Sequence, residues 1–590
     1  MYKNKFLLII GIITIVSIWS CKKELDRFPI ASIAPQTFFK TEKDLELFSN
    51  GFYAYLPSAE TVAEGDGQSD NQETVPGNKI VAGAYLLPST DSKWSTNSTT
   101  SWGHLRNLNY FLENYSKADA PVASKNHYAG VARFFRAWFY YDMVARYGDV
   151  PWYSKTLGSE DTEAINKPRD PRALVMDSVL ADLNFAIANI RKSTPTWTVN
   201  AYVAMAFKAR ICLFEGTWRK YRGLADANKF LTEAKNASKA LMDENKYSLY
   251  STGNPDVDYY NLFQMDAAPV SEVILAREYR TDLNIRHSVT ADINGGYGWG
   301  YSKSLINSYL MKDGTRFTDQ PGYATMTYME EFANRDPRLL QTSVNPFYKR
   351  FNASNINGPK VSPNPKIGGA NPTGYAQIKF YQDDPVKVIY GQSDNDAPII
   401  RYAEVLLIYA EARAELGELT QADLDLTITK IRARAGMPPL SMGVSLDPIL
   451  AAQYPNVLGA QRNVLLEIRR ERRIEMASEN LRYLDLMRWK VGNLMAEVFK
   501  GVYFPGLGVY DLNLDGAPDY AIVTAKPANP TPGVTYAIIN TDVFLSNGNS
   551  GNIIPSPSVV KTFNENKNYL FPLPTTELLL NKKLVQNPGW

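Results

Sequence analysis

The segment Asn200-Ala201-Tyr202-Val203-Ala204-Met205-Ala206-Phe207-Lys208-Ala209-Arg210-Ile211-Cys212-Leu213-Phe214 decides the fold. Alanines at 201, 204, 206 and 209 are interleaved with Tyr202, Met205, Phe207, Ile211 and Phe214. The apolar residues recur at helical spacing. Small side chains let a second helix come close, and the large ones fill the space between. That combination builds stacked antiparallel hairpins, as in tetratricopeptide repeats. Ala129, Ala132 and Ala137 repeat it inside a helical pattern over Tyr128 to Tyr147. No strict period links the units, so the hairpin reading rests on pattern.

Further helical patterns extend on both sides. They cover Trp102 to Tyr115, Arg172 to Ile190 and Ala225 to Met242. After a weakly periodic stretch from about Ser251 to Ala397 they resume at Tyr402 to Leu416, Leu424 to Ala435, Arg462 to Ser478 and Leu481 to Lys490. Thr41 with Asp44 marks an earlier helix start. Glu272 to Tyr279 reads as a strand. Ser58 to Thr100 reads as a long surface excursion, and 501–557 as an irregular insertion. The expected fold is mainly α: a tetratricopeptide-like helical hairpin scaffold, an α-α superhelix, with long irregular loops and a few short strands.

The N-terminus carries Lys3 and Lys5, then an apolar run from Phe6 to Ile18, then Ser20 and Cys21. This is the layout of a secretory signal. The run is too short to span a membrane, which needs about 20 residues. A cysteine directly after a small residue resembles a bacterial lipoprotein signal, with Cys21 lipidated. An ordinary signal cut nearby is the alternative. The expected organisation is a signal over 1–20, a lipidated tether over 21–34, an N-terminal helical region over 35–250 and a C-terminal region over 251–590.

Composition narrows the function. Lys+Arg 63 against Asp+Glu 61 leaves no net field for nucleic acid. The three histidines His104, His127 and His287 are scattered, which argues against a histidine-rich metal site. Cys212 is the other cysteine, and in its apolar helical setting it reads as a small buried hydrophobe. Tyr 36 and Trp 10 are abundant, and their flat apolar faces with polar tips suit amphipathic ligands.

Two charged motifs invite chemistry. Glu467 to Arg473 has the four-residue spacing of helical salt-bridge ladders, which is a structural role. Asp511, Asn513, Asp515 and Asp519, with Gly516 sixth in the run, match the first half of a calcium loop. Position twelve is Ile522 and not glutamate, and an Asp-Gly hairpin turn is the competing reading.

Several segments in order resemble the SusD/RagB family. They are Arg401-Tyr402-Ala403-Glu404-Val405-Leu406-Leu407-Ile408-Tyr409-Ala410-Glu411-Ala412, Glu471-Arg472-Arg473-Ile474-Glu475, and Arg482-Tyr483-Leu484-Asp485-Leu486-Met487-Arg488-Trp489. Arg133 to Trp138, Tyr147 to Pro151, Arg335-Asp336-Pro337-Arg338 and the terminal Gln586-Asn587-Pro588-Gly589-Trp590 agree. The resemblance implies an outer-membrane lipoprotein displayed at the cell surface. It implies binding of oligosaccharide and delivery to a SusC-type TonB-dependent transporter, over which the protein acts as a lid. It implies no catalysis and no required cofactor.

A glycan site needs aromatic faces beside placed polar groups. Two loop segments offer them. One holds Asp70, Asn71, Gln72, Tyr85 and Trp94. The other is the glycine-aromatic run with Tyr297, Trp299 and Tyr301. Trp102 starts a helical stripe and reads as core. Other readings are a binder of peptides or another nutrient, a purely structural lid, and a glycoside hydrolase, for which no carboxylate pair stands out.

Overall fold

The computed structural model describes residues 38–74, 77–97, 99–295, 298–351, 358, 360, 362, 367 and 371–590. Cys21, the tether and Tyr297 lie outside the described residues. The N-terminal half is built on helices α1 (Glu42–Asn50), α2 (Trp102–Asn114), α3 (Val122–Tyr147), α4 (Arg172–Asn189), α5 (Ala201–Lys220) and α6 (Ala227–Asp243). α1 starts where the sequence places it. The Asp44 amide donates to Thr41 Oγ1 at 3.3 Å, and the Thr41 amide donates to Asp44 Oδ2 at 2.8 Å. That reciprocal pair satisfies two orphan donors of the first turn.

α3 packs on α4, α4 on α5, and α5 on α6. A Cβ at Gly216 of α5 would lie 2.8 Å from Leu231 Cγ of α6, so a side chain there would push the two helices apart. Phe207 fills the space above the alanines. Its ring centroid is 4.5 Å from Trp138 and 5.1 Å from Phe134. Cys212 is buried, and burial pushes its thiol up to about 12. α6 then meets α7 (Tyr402–Glu415), which meets α8 (Arg462–Glu475), and α9 (Arg482–Arg488) follows. One apolar cluster runs through both halves.

Short strands tie the loops. β1 (Gln72–Thr74) pairs with β3 (Trp299–Tyr301), and β2 (Val273–Arg277) pairs with β4 (Ala397–Arg401), both antiparallel. β5 (Tyr503–Phe504) pairs with β9 (Gly551–Asn552), while β6 (Gly508–Tyr510), β7 (Tyr520–Val523) and β8 (Thr535–Ile538) form one sheet. The insertion is therefore more ordered than its Gly, Pro and Asn content suggests. Its strands are too short to show alternation in sequence, yet Tyr520 and Ile522 are buried. The predicted helix over Leu424 to Ala435 is interrupted at Thr427, giving Gln421–Leu426 and Ile428–Arg434. The Ser58 to Thr100 excursion is in part core: Ala59, Val62 and Ala63 of a short helix are buried. Among the described residues no helix is long and apolar enough to cross a membrane.

α8 departs from the expected ladder. Every residue from Val464 to Glu475 is buried. Within α8 only Arg470 and Glu467 pair with each other, at 3.2 Å, among the described ion pairs. The rest reach other elements. Glu475 binds Arg401 at 2.6 Å and Arg338 at 2.9 Å, and also Arg434. Arg401 in turn holds Glu272 at 3.0 Å and Glu479 at 2.8 Å. Burial would raise the Glu475 carboxyl, but Arg434, Arg401 and Arg338 hold it far below the usual carboxylate range. The spacing thus creates a hub between elements, not a solvated face.

Candidate functional site

The β1–β3 ribbon brings the excursion and the glycine-aromatic run together. Gln72 faces Tyr301, Glu73 faces Gly300, and Thr74 faces Trp299. Gly300 is required by contact: a Cβ there would sit 2.2 Å from Thr373 Oγ1 and 2.6 Å from Asn371 Oδ1. Trp299, at the open end of the pairing, stays partly exposed. A flat indole held on a backbone-paired ribbon is the kind of apolar face that stacks on a sugar ring.

The other predicted contacts form the foundation beneath it. Tyr301 is fully buried, and its hydroxyl lies 2.7 Å from Ser478 Oγ. Gln72 donates to Gln377 Oε1 at 3.0 Å. Asn71 donates to Asp66 Oδ2 at 2.8 Å and accepts from Arg473 Nε at 2.8 Å. Asp70 is gripped by Arg482 at 2.7 Å and Arg473 at 3.1 Å. Burial works against its charge, but the two arginines outweigh it and hold the carboxyl at about 2. The expectation that Tyr301 and Asn71 touch ligand is corrected, because their side chains are enclosed and spent on internal bonds. Asp70 is likewise committed to its arginines, although it borders a cleft. Glu73 pairs with Lys561 and ties the ribbon to the C-terminal segment.

Tyr85 and Trp94 belong elsewhere. Tyr85 packs edge-on to Phe571 at 5.2 Å and Trp590 at 6.1 Å. Trp94 is buried edge-on against Tyr147 at 5.1 Å and Trp102 at 5.4 Å. The reading of Trp94 as a loop platform is corrected to a plug between the excursion and the scaffold. One edge of it borders an apolar cleft of about 680 Å³, shared with Trp102, Tyr153 and Leu580.

A second cleft of about 490 Å³ begins where the ribbon ends. Ser302, Asn307, Tyr323, Gln453, Glu497 and Lys500 contribute to its wall. Burial and the facing Asp70 raise the Glu497 carboxyl, against the pull of Arg473 and Lys500. Of the predicted ligand contacts Asp70 alone lines this cleft, and the rest of its wall is not singled out by the sequence. The one local signal was Pro321-Gly322-Tyr323, a turn that displays an aromatic ring.

The calcium expectation meets a hairpin. Gly516 donates to Asp511 Oδ2, Asp515 to Asn513 Oδ1 and Ala517 to Asp515 Oδ1, each at 2.9 Å. Leu512 donates to Asp519 Oδ2 at 2.8 Å. These oxygens close the turn between β6 and β7, and strands flank it where a calcium hand has helices. Among the described residues no three His, Cys, Asp or Glu side chains gather as metal ligands.

Comparison with known proteins adds a family. Residues 262–590 match the profile of the SusD family, and residues 84–230 match one described as starch-binding associating with outer membrane. A SusD-like protein of Formosa agariphila is 24% identical over the full length of both chains. A SusD-like protein of Bacteroides ovatus is 22% identical over 79% of each. Two solved structures from Bacteroides fragilis share the fold. A SusD-like protein has a TM-score of 0.69 at 21% identity, covering 96% of this chain and 100% of its own. A SusD-like carbohydrate binding protein has a TM-score of 0.67 at 23% identity, covering 93% and 100%.

Proposed function

Since the chain belongs to the SusD family, we propose that it is a lipid-anchored, surface-displayed glycan-binding protein of the outer membrane. It captures oligosaccharide and passes it to a SusC-type TonB-dependent transporter, which it covers as a lid. The observation that carries the binding reading is Trp299, partly exposed on a ribbon whose Gln72, Glu73 and Tyr301 side chains are bonded to the body of the protein. The starch-binding description of the matching profile and the carbohydrate-binding description of a structural relative support the ligand class. Binding proceeds without bond cleavage, and Cys21 supplies the anchor.

A glycan array probed with the mature chain tests the ligand class. Retention of oligosaccharide with no shortened products is expected. Hydrolysis would replace binding with catalysis, and retention of peptides alone would replace the ligand. Labelling with a fatty-acid analogue should mark the wild type and spare Cys21→Ser. Protease shaving of intact cells should remove the protein, and survival would place it on the inner face. Co-purification of a TonB-dependent transporter from membranes is the expected result for the lid.

A further inference from the structure

We propose that the apolar cleft beside Trp94 is a binding site of its own, and that it takes a single acyl chain ending in an acidic group. Trp299 is not part of its wall, so the site stands or falls separately from the glycan-binding reading.

Three pieces of chain build the cleft. α2 supplies Trp102 and Leu105, the loop after α3 supplies Tyr153 and Leu157, and the segment around the short helix Thr575–Leu580 supplies Leu580 and Leu584. The loop is fixed along α2. Asn109 Nδ2 donates to Tyr153 O at 3.0 Å and to Lys155 O at 3.1 Å, and Arg106 donates to Leu157 O at 2.8 Å. At about 680 Å³ the cleft has the size of a small-molecule site. Its mouth leaves large apolar side chains in water: Leu580 is 72% exposed and Ile165 is 43% exposed.

What the wall has left to offer decides the ligand. Its amides are already spent. Asn109 holds the loop and accepts from Arg136 at 3.1 Å, Asn166 donates to Thr162 O at 2.8 Å, and Asn581 donates to Lys167 O at 2.9 Å. Glu577, the one carboxylate among the lining residues, is hydrogen-bonded to the Trp94 side chain. A sugar or a peptide carries donors and acceptors along its whole length, and burying them here unpaired would cost free energy. An acyl chain carries none, and it gains from apolar area alone. Charge is available at one place. Arg106 and Lys155 stand exposed in the wall, and neither forms an ion pair among the described residues. Glu113 of α2 accepts the Thr156 amide at 3.0 Å and lies outside the wall. A guanidinium and an ammonium group suit the carboxylate or phosphate at the end of such a chain.

The test is calorimetric titration of the Cys21→Ser chain, which carries no lipid of its own, with octanoate, decanoate and dodecanoate. Affinity should rise with each added methylene, by up to about fourfold. Decanol, equal in length to decanoate but uncharged, should bind about tenfold more weakly. Arg106→Gln combined with Lys155→Gln should weaken decanoate about tenfold and leave decanol unchanged. Leu580→Asp should weaken both. All three positions are exposed, and unchanged thermal unfolding of each variant should accompany these results. Flotation with phosphatidylcholine vesicles containing phosphatidylglycerol separates two sources of the chain. Flotation that the same substitutions abolish assigns it to a membrane lipid, and fatty-acid binding without flotation assigns it to a free acid. The proposal is overturned if neither the fatty acids nor the vesicles bind, if the substitutions leave binding unchanged, or if decanol binds as tightly as decanoate. A maltooligosaccharide that displaces decanoate also overturns it and makes the cleft a sugar site.

Discussion

The two halves of the molecule are held together in different ways. Around α3 to α6 rings and methyl groups predominate, with Phe207 beside Trp138 and Phe134, and a few buried pairs such as Arg136 with Asp182 and Arg172 with Glu215 join neighbouring helices. Around α8 it is a set of arginines and carboxylates removed from water, with Arg401 shared by Glu272, Glu475 and Glu479. Apolar packing is non-directional and tolerates swaps of similar volume. Buried ion pairs hold only while every partner is present. The ribbon that presents Trp299 stands on the second kind of core, through Asp70 and its arginines. Ligand geometry therefore depends on charge balance far from the ligand.

Removing one partner of the hub should have the largest effect. Arg401→Met leaves Glu475 and Glu479 undercompensated and is expected to cost about 3–5 kcal/mol in denaturant unfolding. A loss under about 1 kcal/mol would break the contrast between the halves. Acid should expose the next effect. The Asp70 carboxyl lies at about 2 in the fold and near 3.9 in an unfolded chain. Its folded value is depressed, so its contribution of about 2 kcal/mol is present above about pH 4 and is lost as pH falls towards 2. The stability gap between wild type and Asp70→Asn should narrow over that window, and a constant gap would contradict the assignment.

The apolar half should respond less. Phe207→Leu keeps most of the volume and is expected to cost under about 1.5 kcal/mol. A loss equal to that of Arg401→Met would remove the distinction. Smallest of all, millimolar calcium is expected to leave the unfolding temperature unchanged, because one side-chain oxygen of each of Asp511, Asn513, Asp515 and Asp519 already accepts from a backbone amide of the turn.

What could be read from the chain follows from the same contrast. Alanine interleaving over Asn200 to Phe214 reports a local helix packing and gives the hairpins directly. Asp70 looks like a ligand contact in a polar loop, yet its partner Arg482 lies 412 residues away, and nothing local records that pairing. Trp94 sits among Ser, Thr and Asn, so its neighbours suggest exposure, while Tyr147 of α3 closes over it. The Glu467 to Arg473 spacing gives the helix correctly but cannot say that its charges point at other elements. Of the described candidate rings in the glycine-aromatic run, Trp299 keeps the partial exposure that its flanking glycines suggest, while Tyr301 is buried.

The central claim is that Trp299 is the stacking face of a glycan site. Calorimetric titration of wild type and Trp299→Ala with the best glycan from the array tests it most directly. The account predicts a loss of at least about 2 kcal/mol, roughly thirtyfold in affinity, with thermal unfolding unchanged. Equal affinity for the two proteins would contradict it.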